Sequence, residues 1–253
     1  MYIDSTSNKI VKHTKKLFER SGRKEYGQFI IEGRRLVSDA ISAGADIEYV
    51  ITEQGVDFPV TGISCYELSA KAFSSLKTTV NSQGILGVVN MGEDKEFVIP
   101  DEGRCFYIYL DGISDPGNMG TIIRTGDACG ADGVILSKNC VDVYNPKVVR
   151  STMSGIFNIP LYFDDEDRSL VRKMQEKGIS IISGSLDGQK SVYDVDFKGR
   201  CAVVIGNEAN GITEQMLSMS DELIKIPILG KAESLNAAVA CAVISYEALR
   251  QNL

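Results

Sequence analysis

Short apolar runs alternate with segments of helical period along most of the chain, the pattern of an α/β protein. In the earlier part, runs at 28–31, 47–51, 63–66 and 85–89 predict strands. Ser7 is placed to cap a helix reaching Arg20 and ended by Gly22, with Ile10, Leu17 and Phe18 on one side and lysines on the other. Further helices are predicted at 34–43, closed by Gly44, and at 70–76. The later part opens with Cys105-Phe-Tyr-Ile-Tyr-Leu110, an unbroken apolar run of the kind that fills a parallel strand buried on both faces. Strands at 133–136, 160–163, 179–183, 201–205 and 223–226 follow. Helices fit at 118–129, 146–154, 166–177, from Thr213, and at 234–250. The last carries Ala237, Ala238, Ala240 and Ala242, which suits close packing within the chain or against a second copy.

Residues 91–103 are charged, punctuated by Gly and Pro, and without helical period, so they read as a linker. The organisation expected is a small α/β domain over 1–95 and a larger one over 104–253, without internal repeats.

Composition narrows the class. The chain has 253 residues, 43% of them hydrophobic, enough for a core in each domain. It has no apolar run long enough to span a bilayer and no secretory leader pattern, so a cytoplasmic protein away from membranes is expected. Cys65, Cys105, Cys129, Cys140, Cys201 and Cys241 form no CxxC pair and read as reduced thiols. With His13 the only histidine, neither a metal site nor histidine catalysis is expected.

Net charge of −7 argues against nucleic acid until its distribution is considered. Residues 1–36 carry nine basic and four acidic side chains, a net of +5, which leaves −12 for the remainder. Lys9, Lys12, Lys16, Arg34 and Arg35 are the candidate RNA contacts in this basic stretch, since screening at physiological salt acts over roughly 8 Å. A solvated helix face is the other reading.

Three loops each follow a predicted strand and lead into a helical pattern. They are Asp111-Gly-Ile-Ser-Asp-Pro-Gly-Asn-Met-Gly-Thr-Ile-Ile-Arg124, Gly206-Asn-Glu-Ala-Asn-Gly211 and Ile226-Pro-Ile-Leu-Gly-Lys-Ala-Glu-Ser-Leu-Asn236. Strand ends of this kind form the ligand edge of open α/β sheets. In the first loop Asn118 is a candidate helix cap, and Arg124 stays near the same helix entrance with a guanidinium suited to phosphate. Glu208 can fix a substrate hydroxyl, hold the arginine, or neutralise the next helix. Ser234 makes a good N-cap, and Asn236 stands two residues on. Gly230, Ile226, Ile228 and Leu229 make an apolar, open-backbone surface suited to an adenine ring. GxGxxG spacing and a P-loop are both absent, which argues against a nicotinamide enzyme.

In order and spacing the three loops resemble motifs 1, 2 and 3 of the SpoU (TrmH) family of RNA ribose 2′-O-methyltransferases in the SPOUT superfamily. The likeness covers about residues 104–250, including Asn145-Pro-Lys-Val-Val-Arg-Ser-Thr-Met-Ser-Gly-Ile-Phe-Asn-Ile-Pro160, where Thr152, Met153 and Ile156 depart from the commoner small residues. The first ninety residues resemble the ribosomal-protein-like substrate-binding domain that many members carry.

The resemblance implies a parallel-sheet SPOUT domain with a trefoil knot, preceded by an α/β RNA-binding domain. It implies a homodimer that methylates RNA with S-adenosylmethionine. Gly206, Asn207, Ile226, Ile228, Leu229 and Leu235 would bind the cofactor, and Asn118, Arg124, Glu208, Ser234 and Asn236 would serve catalysis. Ribosomal RNA is the expected substrate. Transfer RNA, or a non-catalytic ribosome-associated protein of the same fold, are the alternatives.

Overall fold

The computed structural model describes residues 1–77, 82–93 and 95–253. In chain order the elements are β1 (Tyr2–Ile3), α1 (Lys9–Lys16), α2 (Arg20–Tyr26), β2 (Gln28–Glu32), α3 (Arg34–Ser42), β3 (Ile47–Glu53), β4 (Ser64–Leu68), α4 (Ala70–Ser74) and β5 (Ile85–Asn90). There follow β6 (Cys105–Asp111), α5 (Pro116–Cys129), β7 (Gly133–Leu136), α6 (Pro146–Ser151), α7 (Gly155–Asn158), β8 (Leu161–Phe163) and α8 (Ser169–Glu176). The chain ends with β9 (Ser180–Gly184), β10 (Lys190–Ser191), β11 (Arg200–Gly206), α9 (Glu214–Ser218), β12 (Glu222–Lys225) and α10 (Ala237–Arg250).

Two compact units form, one of residues 1–93 with 144–157, the other of 94–143 with 158–253. Residues 144–157 thus fold with the earlier unit, although the sequence reading kept them in the later domain.

The first unit holds a sheet in the order β1-β4-β3-β5-β2, with β5 antiparallel to both neighbours. Its two faces bury separate clusters, one around Leu17, Phe73 and Leu86, the other around Ile31, Val37 and Val50.

The helix predicted over 7–20 stops at Lys16, and a second helix, α2, begins at Arg20. Asn8, not Ser7, caps α1 by accepting the Ile10 N–H at 2.9 Å. Gly22 does not end a helix but sits inside α2, where a Cβ would stand 2.1 Å from the Lys16 carbonyl oxygen. A glycine is needed because α2 crosses the end of α1 at backbone distance. Buried Arg23 fastens the crossing, donating to the carbonyls of Leu17 and Phe18, both at 2.9 Å.

The second unit is a seven-stranded sheet in the order β10-β12-β9-β11-β6-β7-β8, parallel throughout. Every residue of β6 is buried, as an unbroken apolar run requires when both faces are covered. One face packs against α8 and α9 through residues such as Tyr107, Met174, Val204 and Met216. On α10, Ala238, Cys241, Ile244 and Ala248 are buried, and the helix packs against α5 and β11. Of the four alanines noted in the sequence only Ala238 is buried within the chain; Ala237, Ala240 and Ala242 are partly exposed, and Val239 and Tyr246 about half exposed.

Among the described residues no helix is long and apolar enough to cross a membrane, and no group of three or more His, Cys, Asp or Glu side chains could hold a metal ion.

Candidate functional site

Strands β6 and β11 run side by side, with Asp111 opposite Gly206 at their carboxyl ends. From β6 the chain moves to β7 on one side; from β11 it moves to β12, beyond β9, on the other. Connections that leave in opposite directions open a crevice between the two strand ends, where parallel α/β sheets receive ligands.

A buried ion pair forms the floor of this crevice. Asp111 is 1% exposed, accepting from Arg168 Nη2 at 2.6 Å and from the Thr213 N–H at 2.7 Å. Arg168 also donates to the Tyr109 hydroxyl at 2.9 Å, and that hydroxyl donates to Asp164 at 3.0 Å. One carboxylate thus ties the end of β6 to the start of α9 and to the loop before α8. Burial makes it unfavourable to leave either charge alone, so the three segments are held together. Arg168 adopts the left-handed conformation at φ 58°, a backbone cost accepted to aim its side chain inward. Nothing in its local sequence pattern signalled this role.

Above the floor, hydrogen bonds join all three motif loops. Asn118 Nδ2 donates to Glu208 Oε1 at 2.8 Å, and Asn236 Nδ2 donates to Asn118 Oδ1 at 2.8 Å. Glu208 also accepts from the Ser114 N–H and hydroxyl and from the Asp115 N–H, at 2.9–3.2 Å. Asn207 Nδ2 reaches across to the Gly112 carbonyl at 2.7 Å. Glu208 therefore satisfies N–H groups ahead of α5 rather than neutralising the next helix, α9, which Thr213 caps.

Two capping assignments are corrected by this geometry. Asp115 caps α5, accepting the Asn118 N–H at 2.8 Å behind Pro116 in the first turn, so the Asn118 side chain is released for the network. Asn236 caps α10, accepting from the N–H groups of Ala238 and Val239, and the helix starts at Ala237 rather than Ser234.

Partial burial works against the charge of Glu208. Donation from Asn118, from its own main chain and from Ser114 outweighs it and holds the carboxyl at about 2. Its ordinary value is 4.5, so the stabilisation is fully present above that pH and is lost as pH falls towards 2. Glu208→Gln should lower the melting temperature at neutral pH, and the gap from the parent should close as pH falls through that window. A gap that stays constant in acid melts would contradict the assignment.

Beside the network lies a cavity of about 630 Å³. The ends of β9, β11 and β12 and the entrance to α10 supply its walls, including Leu186, Ile205, Ile226, Ile228, Leu235 and Ile244. Its backbone wall is the turn at Gly206, where Asn207 and Gly211 exchange N–H···O bonds of 2.8 and 2.9 Å. A Cβ on Gly206 would lie 2.4 Å from the Gly211 carbonyl carbon and 2.5 Å from the Ile212 nitrogen. Only glycine permits the chain to double back there.

Gly206, Asn207, Ile226, Ile228, Leu235, Glu208, Ser234 and Asn236 all line this space. Leu229 does not; it is 99% exposed. Arg124 lies on the exposed side of α5, outside the cavity wall, and has no hydrogen bond or ion pair with any described residue. Sequence reasoning missed Ser114, Asp115 and Leu186. Gly184 and Gly188 around Leu186 were the available signal of a fourth loop at the same sheet edge.

In the first unit, Lys9 and Lys12 are exposed and unpaired among the described residues. Lys16 donates to the Tyr26 hydroxyl at 2.8 Å and faces Glu25 at 3.6 Å. Arg34 is held by the Asp57 carbonyl at 2.7 Å and stacks on Phe58, and Arg35 pairs with Asp39 at 3.7 Å.

Residues 105–246 match the SpoU rRNA Methylase family, and residues 8–87 match the MRM3-like substrate binding domain. The chain is 33% identical to the 23S rRNA (guanosine(2553)-2′-O)-methyltransferase RlmP of Bacillus subtilis (strain 168), over 96% of this chain and 97% of that one. It is 30% identical to the 23S rRNA (uridine(2479)-2′-O)-methyltransferase of Streptomyces viridochromogenes, over 94% of this chain and 88% of that one. The AdoMet-bound rRNA methyltransferase from Sinorhizobium meliloti has a similar structure, with TM-score 0.88 and 29% identity, covering 100% of this chain and 98% of that one.

Proposed function

The chain belongs to the SpoU rRNA methylase family, and we propose on that premise that it methylates a ribose 2′-hydroxyl of ribosomal RNA, using S-adenosylmethionine, in the cytoplasm. The observation that carries this reading is the cavity at the Gly206 turn, adjoined by the Asn118–Glu208–Asn236 network. Its walls fit the cofactor: aliphatic side chains for an adenine ring, and a glycine turn that brings main chain to the edge of the space. Gly206, Asn207, Ile226, Ile228 and Leu235 would hold it, with Ser234 and Asn236 at the rim. S-adenosylmethionine supplies, when bound, a methyl group already activated by its sulfonium.

The residues of the chain then have two tasks. Asn118, Glu208 and Asn236 keep the three loops in one arrangement, so that a sugar hydroxyl is oriented before it reacts. Arg124 steadies the charge that develops on the 2′-oxygen, acting electrostatically rather than as a literal base. Because Arg124 stands outside the cavity wall, we assign it to the cavity of a second copy in a homodimer. The half-exposed Val239 and Tyr246 on α10 support such an assembly. The trefoil knot of the family accords with a sheet in which β12 returns beyond β9 after β11.

Calorimetry with S-adenosylmethionine tests the cavity: one binding event per chain is expected, and no heat would refute it. RNA binding should involve the exposed lysines of α1. Its affinity should fall with salt at a log–log slope of roughly −0.7 to −0.9 per phosphate neutralised, and Lys9→Ala with Lys12→Ala should flatten that slope. An unchanged slope would remove α1 from the interface.

A further inference from the structure

A second cavity, of about 250 Å³, lies within the first unit and takes no part in the site described above. Its walls are Glu32, Gly33, Arg35, Leu36, Gln83, Arg150 and Met153. Two guanidiniums, a primary amide and two apolar side chains around so small a space match a flat heterocycle better than an extended ligand. Arginine planes stack on unpaired bases, and amide groups bond their edges.

The wall is built rather than incidental. Arg150 is fixed by Glu32 at 3.6 Å, a carboxylate whose side chain is only 10% exposed, while the arginine side chain remains 42% exposed. Gln83 Oε1 accepts the Arg34 N–H at 2.7 Å, and its Nε2 donates to no described residue. Met153 and Ser154 both have positive φ, at 57° and 129°, which L side chains rarely adopt. The Ser154 hydroxyl donates to Asp39, and the same carboxylate faces Arg35 at 3.7 Å. The strained turn is thus pinned to α3 and leaves Met153 41% exposed at the cavity. Strain held in this way marks positions where structure serves a ligand.

The geometry points to this cavity as the seat of one unstacked nucleobase of the substrate RNA, held between Arg35, Arg150, Leu36 and Met153 and bonded by Gln83. The inference rests on the reading that the substrate is RNA, and adds to it a base-binding position separate from the reacting nucleotide. It gives residues 150–153, which follow the methyltransferase motif-1 region in sequence, a role in RNA recognition by the first unit.

Fluorescence anisotropy with a labelled decaadenylate, and with an abasic ribose-phosphate decamer of equal charge, separates base from phosphate. The protein should bind decaadenylate roughly ten-fold more tightly than the abasic strand, the scale of one stacked base. Met153→Ala should erase that preference without changing the melting temperature or S-adenosylmethionine binding. Gln83→Ala should erase it too, with a modest fall in melting temperature because the Arg34 N–H loses its acceptor, and with S-adenosylmethionine binding unchanged. Arg150→Gln should erase the preference as well but lower the melting temperature, because it weakens the hold on the nearly buried Glu32, and Arg35→Ala supplies the test without disturbing the Glu32 pair. Variants that keep the full preference would overturn the pocket and leave the methyltransferase reading intact. A parent protein that binds S-adenosylmethionine but neither decamer would overturn the pocket and the RNA reading together.

Discussion

Arg124→Lys should retain S-adenosylmethionine affinity and lose methyl transfer by roughly 10² to 10³, the scale of removing one preorganised donor. The side chain lies on the exposed face of α5, lines neither of the two cavities described and pairs with no described residue, so neither folding nor cofactor binding within the chain depends on it. Lysine keeps the charge but not the planar fork, so a large loss separates directional stabilisation from simple attraction of phosphate. Turnover near that of the parent, at saturating RNA, would remove Arg124 from the reaction.

Gly206→Ala should act on the other half of the site. The added methyl meets main-chain atoms at 2.4 and 2.5 Å, so the turn itself must move. Overpacking of this kind costs about 1–3 kcal/mol. Because Asn207 and Glu208 follow directly on the displaced turn, S-adenosylmethionine affinity should fall at least roughly ten-fold for each ~1.4 kcal/mol transmitted to the loop. The melting point should drop only modestly, since the sheet below is unaffected; unchanged affinity by calorimetry would contradict the role of the turn. The two variants also test the dimer. Mixed subunits of Arg124→Lys and Gly206→Ala should recover activity that neither has alone, because one intact cavity then meets one intact arginine across a symmetric interface.

The regular elements were legible because their residues face one side of a sheet or helix, and periodicity reports facing. Thus the apolar run at 105–110 appears as β6 (Cys105–Asp111), and 201–205 as β11 (Arg200–Gly206). What escaped depends on contacts between distant segments. Gly22 reads as a helix terminator until Lys16 is seen against it, and Arg168 carries no local signal of its role, which appears only with Asp111 beside it. β1 and β10 are two residues each, too short to show a period, and pair only because β4 and β12 lie next to them. Caps were misplaced by one to three positions because Ser, Asn and Asp compete for the same donors near a helix start. Asp115 and Asn236 win where Asn118 and Ser234 were expected, which frees Asn118 for Glu208. Most of the side chains expected at the site line the cavity or join the hydrogen-bond network, whereas Leu229 stands exposed, since a strand-end motif says nothing about which way its tip points.

The most direct test of the account is the fate of a radiolabelled methyl group. The protein, S-adenosylmethionine labelled on that methyl, and unmodified ribosomal RNA should yield label that survives digestion to nucleosides as a single 2′-O-methylated ribonucleoside. Label recovered on a base, or RNA that stays unlabelled while the protein binds the cofactor, would contradict it.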